Sequence, residues 1–340
     1  MSQTDASPQT GLATETVPDG AVRTADGLTA SQALDRIEAA TGGPRPGYRR
    51  LHARGAVFSG TFTPSGALAS MTTAAHLVDG RSDVLVRFSN GDPRPDASDI
   101  EPGVRGMAVR FPADGEPSHD LVAATFRVFA SRRPEGFVEL VELLGVPDPR
   151  RSRMRRLLRL PGTIVGWARF MLRHPESRAS LRDFAQRRVP ASYATTRFDG
   201  LHAYVLVAPD GTRTAFRYRW LPDAGEVDLP KSPPAGLEPQ FLIGELQTRL
   251  QSGPVRFSLV FQLAGPQDRT ADPSVAWPED RPTVVAGQLE VTAIHPDSTE
   301  LDRELVFDPT RVPGGLELSD DPVLRLRGPV YRLAGERRAG

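Results

Sequence analysis

Apolar and polar positions change period several times along the chain. Thr29-Ala30-Ser31-Gln32 has the form of a capping box, and Leu34 and Ile37 follow at helical spacing. The helix they predict stops at Thr41-Gly42-Gly43-Pro44. From Arg50 to about Phe129 the period drops to two. Ala56–Phe62, Val84–Phe88 and Met107–Phe111 read as strands, with Phe126–Phe129 as a fourth. Helical spacing returns over Pro134–Leu144, through Phe137, Leu140, Val141 and Leu144. Residues 149–187 read as a helical, Arg-rich insertion. Beyond Gly200, His202–Val207, an Asp210-Gly211 turn and Thr214–Trp220 form a hairpin signature. A helix over Gln240–Gln251 and strands at Val255–Leu263 and Val284–Ala293 complete the pattern. About eight strands split by helices predict an α+β fold, an antiparallel β-barrel with helical insertions and flanking helices.

Composition narrows the choice. The chain has 340 residues, 39% of them apolar and 15 of them Phe, ample for a core. Residues 1–27 hold almost no large apolar side chains and are expected to form a disordered tail, leaving 28–340 as one domain. The 42 basic and 42 acidic side chains cancel, which excludes a general nucleic-acid binder. RRSRMRRLLRL (Arg150–Leu160) has the look of a basic patch for nucleic acid or lipid. Without a net basic field it reads instead as an amphipathic helix whose Arg stems lie over an apolar seam. No Cys is present, so disulfides, thiolate metal sites, thiolate-ligated haem and Cys nucleophiles are excluded. The opening residues lack the basic start and apolar run of a secretory signal. The most apolar stretch, Gly162–Leu172, is about half a span long and is interrupted by Arg169. A cytoplasmic protein with no membrane and no nucleic-acid partner is expected.

Local motifs of catalysis are missing: there is no G-x-S-x-G elbow, P-loop or HExxH. The six His (52, 76, 119, 174, 202, 295) are scattered singly, and a lone His is more often structural than a ligand.

A set of short segments, taken in order, is more informative. Arg49-Arg50-Leu51-His52-Ala53-Arg54-Gly55 resembles the distal haem-pocket segment of the haem catalases, Arg-x-x-His-Ala-x-Gly. Val86-Arg87-Phe88-Ser89, Arg105-Gly106-Met107-Ala108-Val109-Arg110-Phe111 and Asp120-Leu121-Val122 with Phe129 and Phe137 are similar to the family's next pocket strands. Gly253–Phe257 and Asp272–Pro278 resemble later family segments. Phe307-Asp308-Pro309, Glu317-x-Ser319-x-Asp321 and Arg327-Gly328-Pro329-Val330-Tyr331 fit the proximal segment. The resemblance is collinear over roughly residues 45–332. Length and the stop soon after Tyr331 resemble the smaller, catalase-related haem peroxidase branch, without the wrapping and helical regions or the usual NADPH site of full catalases.

That resemblance implies a catalase-like barrel holding haem b, with the Tyr331 phenolate as axial iron ligand. A phenol titrates near pH ~10 in water and needs a cation beside it to stay ionised. Arg327, at (i, i+4), is the expected counter-charge. His52 is the implied proton shuttle for peroxide, and Ser89 the hydrogen-bond partner of its far nitrogen. Arg49 and Arg87 are implied partners of the haem propionates. Gly106 lies on the pocket strand, and Val122, Phe129, Phe137, Val306 and Phe307 are implied walls. One position departs from the pattern. The catalase Asn that donates to bound peroxide falls on Ala124, between Ala123 and Thr125. A missing donor in a closed site typically costs about 10²–10³ in rate. Leu51, before His52, is bulkier than the usual Val. The expectation is a haem-dependent peroxidase acting on hydrogen peroxide or organic peroxides with a small organic reductant, and with weak dismutation. Two alternatives stay open: a non-catalytic haem-binding or sensing protein, and a hydroperoxide-rearranging haem enzyme. A homo-oligomer is compatible with the sequence but not specified by it.

Overall fold

The computed structural model describes residues 23–112, 118–145 and 160–339. Ten strands form one antiparallel sheet: β1 (Gly55–Pro64), β2 (Ser82–Asn90), β3 (Arg105–Phe111), β4 (His119–Ala124), β5 (Phe198–Asp199), β6 (Tyr204–Val207), β7 (Arg213–Pro222), β8 (Val255–Leu263), β9 (Thr283–Ile294) and β10 (Leu316–Leu318). Their order is β10-β6-β7-β5-β4-β3-β2-β1-β9-β8, and a further β7–β8 pairing closes an eight-strand barrel. Strands β6 and β10 extend the sheet beyond β7. Closure leaves the barrel strands without a free edge.

Alternation decides what fills it. Ala56, Phe58, Phe62, Val86, Phe88, Met107, Val109, Leu121 and Ala123 point to one side and pack with Phe216, Trp220, Phe257 and Phe261 in a single core. Fully burying each such large side chain contributes about 1.5–3 kcal/mol. The opposite parity of β2–β4, namely Arg87, Ser89, Gly106, Ala108, Val122 and Ala124, turns outward.

Helices flank the sheet: α1 (Ala30–Ala40), α2 (Ala75–Val78), α3 (Pro134–Leu144), α4 (Leu160–Arg173), α5 (Ser177–Gln186), α6 (Phe241–Leu250), α7 (Ser298–Glu304) and α8 (Pro322–Ala339). Leu77 of α2 and Leu242 and Leu246 of α6 pack into the barrel core. The capping box of α1 forms with both arms present. A second cluster joins α1, α3 and α8 through Ala33, Ile37, Val138, Val141 and Leu326. Residues 23–27, which composition assigns to the tail, pack onto this cluster: Arg23 bridges to Thr29, and Arg133 pairs with Asp26 at 2.9 Å. Residues 1–22 and the Arg-rich run up to Arg159 lie outside the described residues.

The fourth strand differs from expectation. It occupies His119–Ala124, not Phe126–Phe129. The Thr125 hydroxyl accepts the Arg105 backbone N–H at 3.0 Å and ends the ladder there. Phe126 then packs on Phe184 beneath Arg187, and the Phe129 amide donates to Pro273. Alternation in His-Asp-Leu-Val-Ala-Ala is the true strand signal, and the two Phe of 126–129 obscure it.

Candidate active site

His52 lies in the connection that leads into β1, with φ of 55°, the one positive φ at a non-glycine position among the described residues. Such backbone costs of order 1–3 kcal/mol and persists where its surroundings hold it. Here the His52 amide donates to Gly91 (3.2 Å), the next amide to Asp92 (3.1 Å), and the His52 carbonyl accepts from Arg87 (2.9 Å). The imidazole Nδ1 is 3.0 Å from Ser89 Oγ. Burial, then the charges of Arg87, Arg327, Arg49 and Arg105, push its pKa down to about 3. The ring is therefore neutral at ordinary pH, with Nε2 left to exchange a proton.

Ser89, Gly106 and Ala124 are consecutive partners across β2, β3 and β4, so they share the outward face. A Cβ on Gly106 would stand 2.7 Å from the His52 ring and 2.8 Å from Ser89 Oγ, which is why only glycine fits. Ala124 presents a methyl group beside this position. Thr125, the next residue, has the opposite parity to Ala124, and its hydroxyl accepts the Arg105 backbone N–H.

Arg49 and Arg87 converge on one carboxylate: Asp302 Oδ1 is 2.6 Å from Arg49 Nη1 and 2.5 Å from Arg87 Nε. Burial alone would raise the Asp302 pKa, and the two guanidinium charges override it and hold it below the ordinary value. A third arginine, Arg338, also senses Asp302 and Arg87, and donates to the Leu305 carbonyl that Arg49 binds. Its position in a string of C-terminal arginines hides it in the sequence. Three guanidinium groups around one carboxylate leave an excess of positive charge, suited to a ligand bearing two carboxylates.

On α8, Arg327 Nη2 donates to Tyr331 Oη at 2.5 Å, and its guanidinium carbon lies 5.1 Å from the ring centroid. Burial opposes the charge of Arg327, but interaction with the phenols of Tyr331, Tyr204 and Tyr218 raises its pKa overall. Pro329 lies within the helix, two residues before Tyr331, and removes one amide donor there. Behind this pair sits a dyad that the sequence does not reveal. His202 Nδ1 is 2.6 Å from Asp321 Oδ2, both residues are buried, and His202 Nε2 has no partner among the described residues. Burial lowers the His202 pKa in spite of Asp321, and Arg327 pushes in the same direction. A sequence separation of 119 residues is what concealed it.

The apolar candidates fall into two groups. Phe129 stacks at a tilt on Phe137 (5.0 Å) and on His202 (5.5 Å). Val122 faces outward on β4, and Val306 packs against Gly335, one turn beyond Tyr331. His52, Val122, Ala124, Phe129, Phe137, Val306 and Tyr331 are all only half-buried, whereas Phe307 is buried beneath Arg110 (5.0 Å). Arg327 connects the two ends: it binds the Tyr331 phenol, and its charge reaches the His52 ring.

Comparison with known proteins agrees in extent. A family model described as Catalase matches residues 38–340. A protein of Mycolicibacterium paratuberculosis named Catalase-related peroxidase is 41% identical over 92% of this chain and 96% of its own. A protein of the same name from Synechococcus elongatus is 30% identical over 92% of this chain and 90% of its own. Catalase-2 of Bacillus subtilis is 26% identical over 82% of this chain, but over only 42% of its own length.

Proposed function

This chain belongs to the catalase family, and we propose that it is a haem-dependent peroxidase that reduces hydrogen peroxide or an organic peroxide at the expense of a small organic reductant. The observation that carries this reading is the 2.5 Å contact of Arg327 with Tyr331, a phenol provided with its own cation.

The residues present fit haem b. Tyr331 would hold the iron, because a phenolate is an anionic ligand and the Arg327 guanidinium lies against its oxygen. Arg49, Arg87 and Arg338 would hold the propionates, their charge only partly offset by Asp302. Val122, Phe129, Phe137 and Val306 would line the flat faces, and the absence of a side chain at Gly106 supports close approach near His52. When bound, haem supplies the redox iron that breaks the peroxide oxygen–oxygen bond.

The protein's own contribution is proton management. With Nδ1–H donating to Ser89 Oγ, His52 Nε2 carries the lone pair, takes the proton from one peroxide oxygen and delivers it to the departing one. The lowered His52 pKa keeps the acceptor form available. His202 and Asp321 are positioning residues that set the electrostatics behind Arg327. Ala124 withholds the donor that would orient a second peroxide, so dismutation is weak and peroxidation dominates. A haem-binding protein without turnover is the rival reading, and Ala124 is the observation that favours it.

Residues 28–340 act as one haem-binding domain in this proposal. Among the described residues no helix is long and apolar enough to cross a membrane, and removal of peroxide by this chemistry would serve oxidative-stress defence. The test is the absorbance spectrum of purified protein together with oxidation of a chromogenic phenol by peroxide. A high-spin ferric spectrum of tyrosinate type is expected, lost in Tyr331→Phe, with turnover lost in His52→Ala. Turnover unchanged in His52→Ala would leave the binder reading in its place.

A further inference from the structure

The insertion between α3 and β5 is apolar over more of its surface than the fold covers. At ~100° per residue, Trp167, Phe170 and Met171 of α4 occupy one arc and pack with Ala130, Leu140, Leu143 and Leu181. Ile164, Val165, Ala168 and Leu172 occupy the adjoining arc and face solvent. Ile164 is 68% exposed, Val165 66% and Leu172 80%. These three have the highest exposure of any large apolar side chains among the described residues. A helix apolar on both arcs is a buried helix, unless something else covers its second side.

Charge identifies the cover. Arg169 and Arg173 border the exposed arc on its far side, and both are exposed. Among the described residues Arg173 has one distant acidic neighbour, Glu139 at 3.8 Å. The next helix, α5, adds exposed Arg178 and Arg182. From residue 160 to 188 the sequence contains six Arg against Glu176 and Asp183, in a chain whose total charge is zero. A second copy of this chain on the same face would bring like charges together. An anionic lipid surface accepts both the apolar arc and the arginines beside it, as interfacial helices do.

We propose that the exposed face of α4 seats the protein peripherally on an anionic phospholipid bilayer, with Ile164, Val165 and Leu172 entering the headgroup boundary and Arg169 and Arg173 contacting lipid phosphates. Nothing in this inference depends on the haem reaction.

The experiment is co-sedimentation of the full-length holoprotein with phosphatidylcholine vesicles, prepared with and without phosphatidylglycerol. Binding is expected only where phosphatidylglycerol is present, and should fall as salt shortens the Debye length. Leu172→Ser and Ile164→Ser should each weaken partitioning about tenfold, and Arg169→Gln with Arg173→Gln should reduce the salt dependence. All four positions are exposed, so unchanged thermal melting and peroxidase turnover would show that the variants remain folded. Absence of binding to phosphatidylglycerol vesicles overturns the proposal, as does binding indifferent to the Ser variants. Sedimentation equilibrium supplies the remaining arm: a dimer broken by Leu172→Ser would make a second copy the occupant and refute the lipid assignment.

Discussion

Gly106 and Ala124 stand opposite each other across the β3–β4 ladder, on the side of the sheet that meets the His52 ring. One position makes room for the imidazole, and the other supplies only a methyl group beside it. In the proposed function peroxidation uses the first, and efficient dismutation would use a polar group at the second.

Ala124→Asn should therefore raise oxygen evolution from hydrogen peroxide, by up to about 10²-fold, with little change in phenol oxidation. An oxygen-electrode assay at matched haem content decides it, and no gain would mean that the amide is not what limits the site.

Gly106→Ala acts in the other direction. Its Cβ would stand 2.7 Å from the His52 ring, so the imidazole must move. A displacement of that order costs roughly 10²-fold in turnover, and the melting temperature should change far less than the rate. Retention of full turnover would show that the His52 ring is not the group that handles the proton.

Asp302→Asn leaves Arg49 and Arg87 without their shared carboxylate and removes a negative charge that Arg338 senses. Removing one partner of a fully buried pair costs about 3–5 kcal/mol, and partial solvent access at Arg49 and Asp302 reduces this to about 2–3 kcal/mol. Chemical denaturation of the protein without added haem should show the loss. Addition of haem should recover part of it, because the propionates bring negative charge back to the three arginines.

Acid sensitivity follows from four histidines. The pKa of His52 is pushed to about 3, that of His76 to about 4, and those of His119 and His202 are lowered as well, in each case chiefly by burial. In the unfolded chain these groups bind protons near pH ~6.5. Folding stability is thus fully present above pH ~6.5 and declines as pH falls toward 3, by up to about 1.4 kcal/mol per pH unit for each group. His76→Gln should flatten that decline, since the His76 Nε2 and His119 Nδ1 atoms are 2.9 Å apart in a largely apolar setting beside Phe111. Turnover, by contrast, should hold down to about pH 4 in whatever fraction remains folded, because His52 stays neutral there. Unfolding measured against pH separates the two effects.

Period and turn chemistry alone determined most of the scaffold: the capped helix after Thr29, the strands around Phe58, Val86, Val109, Phe257 and Leu289, and the hairpin at Asp210-Gly211. These signals are local, and each segment carries its own. The contact of Arg327 with Tyr331 was expected from resemblance, and the (i, i+4) spacing within one helical turn accords with it. The pairing of His52 with Ser89 came from resemblance, and its geometry from the register of β1 on β2. Tertiary structure alone decided the rest. It joined Arg49, Arg87 and Asp302 from distant parts of the chain, set His202 on Asp321, committed Thr125 to Arg105, and left Ile164, Val165 and Leu172 uncovered. Charge pairing and burial depend on which elements meet in space, and barrel closure, which no short window of sequence contains, determines those meetings.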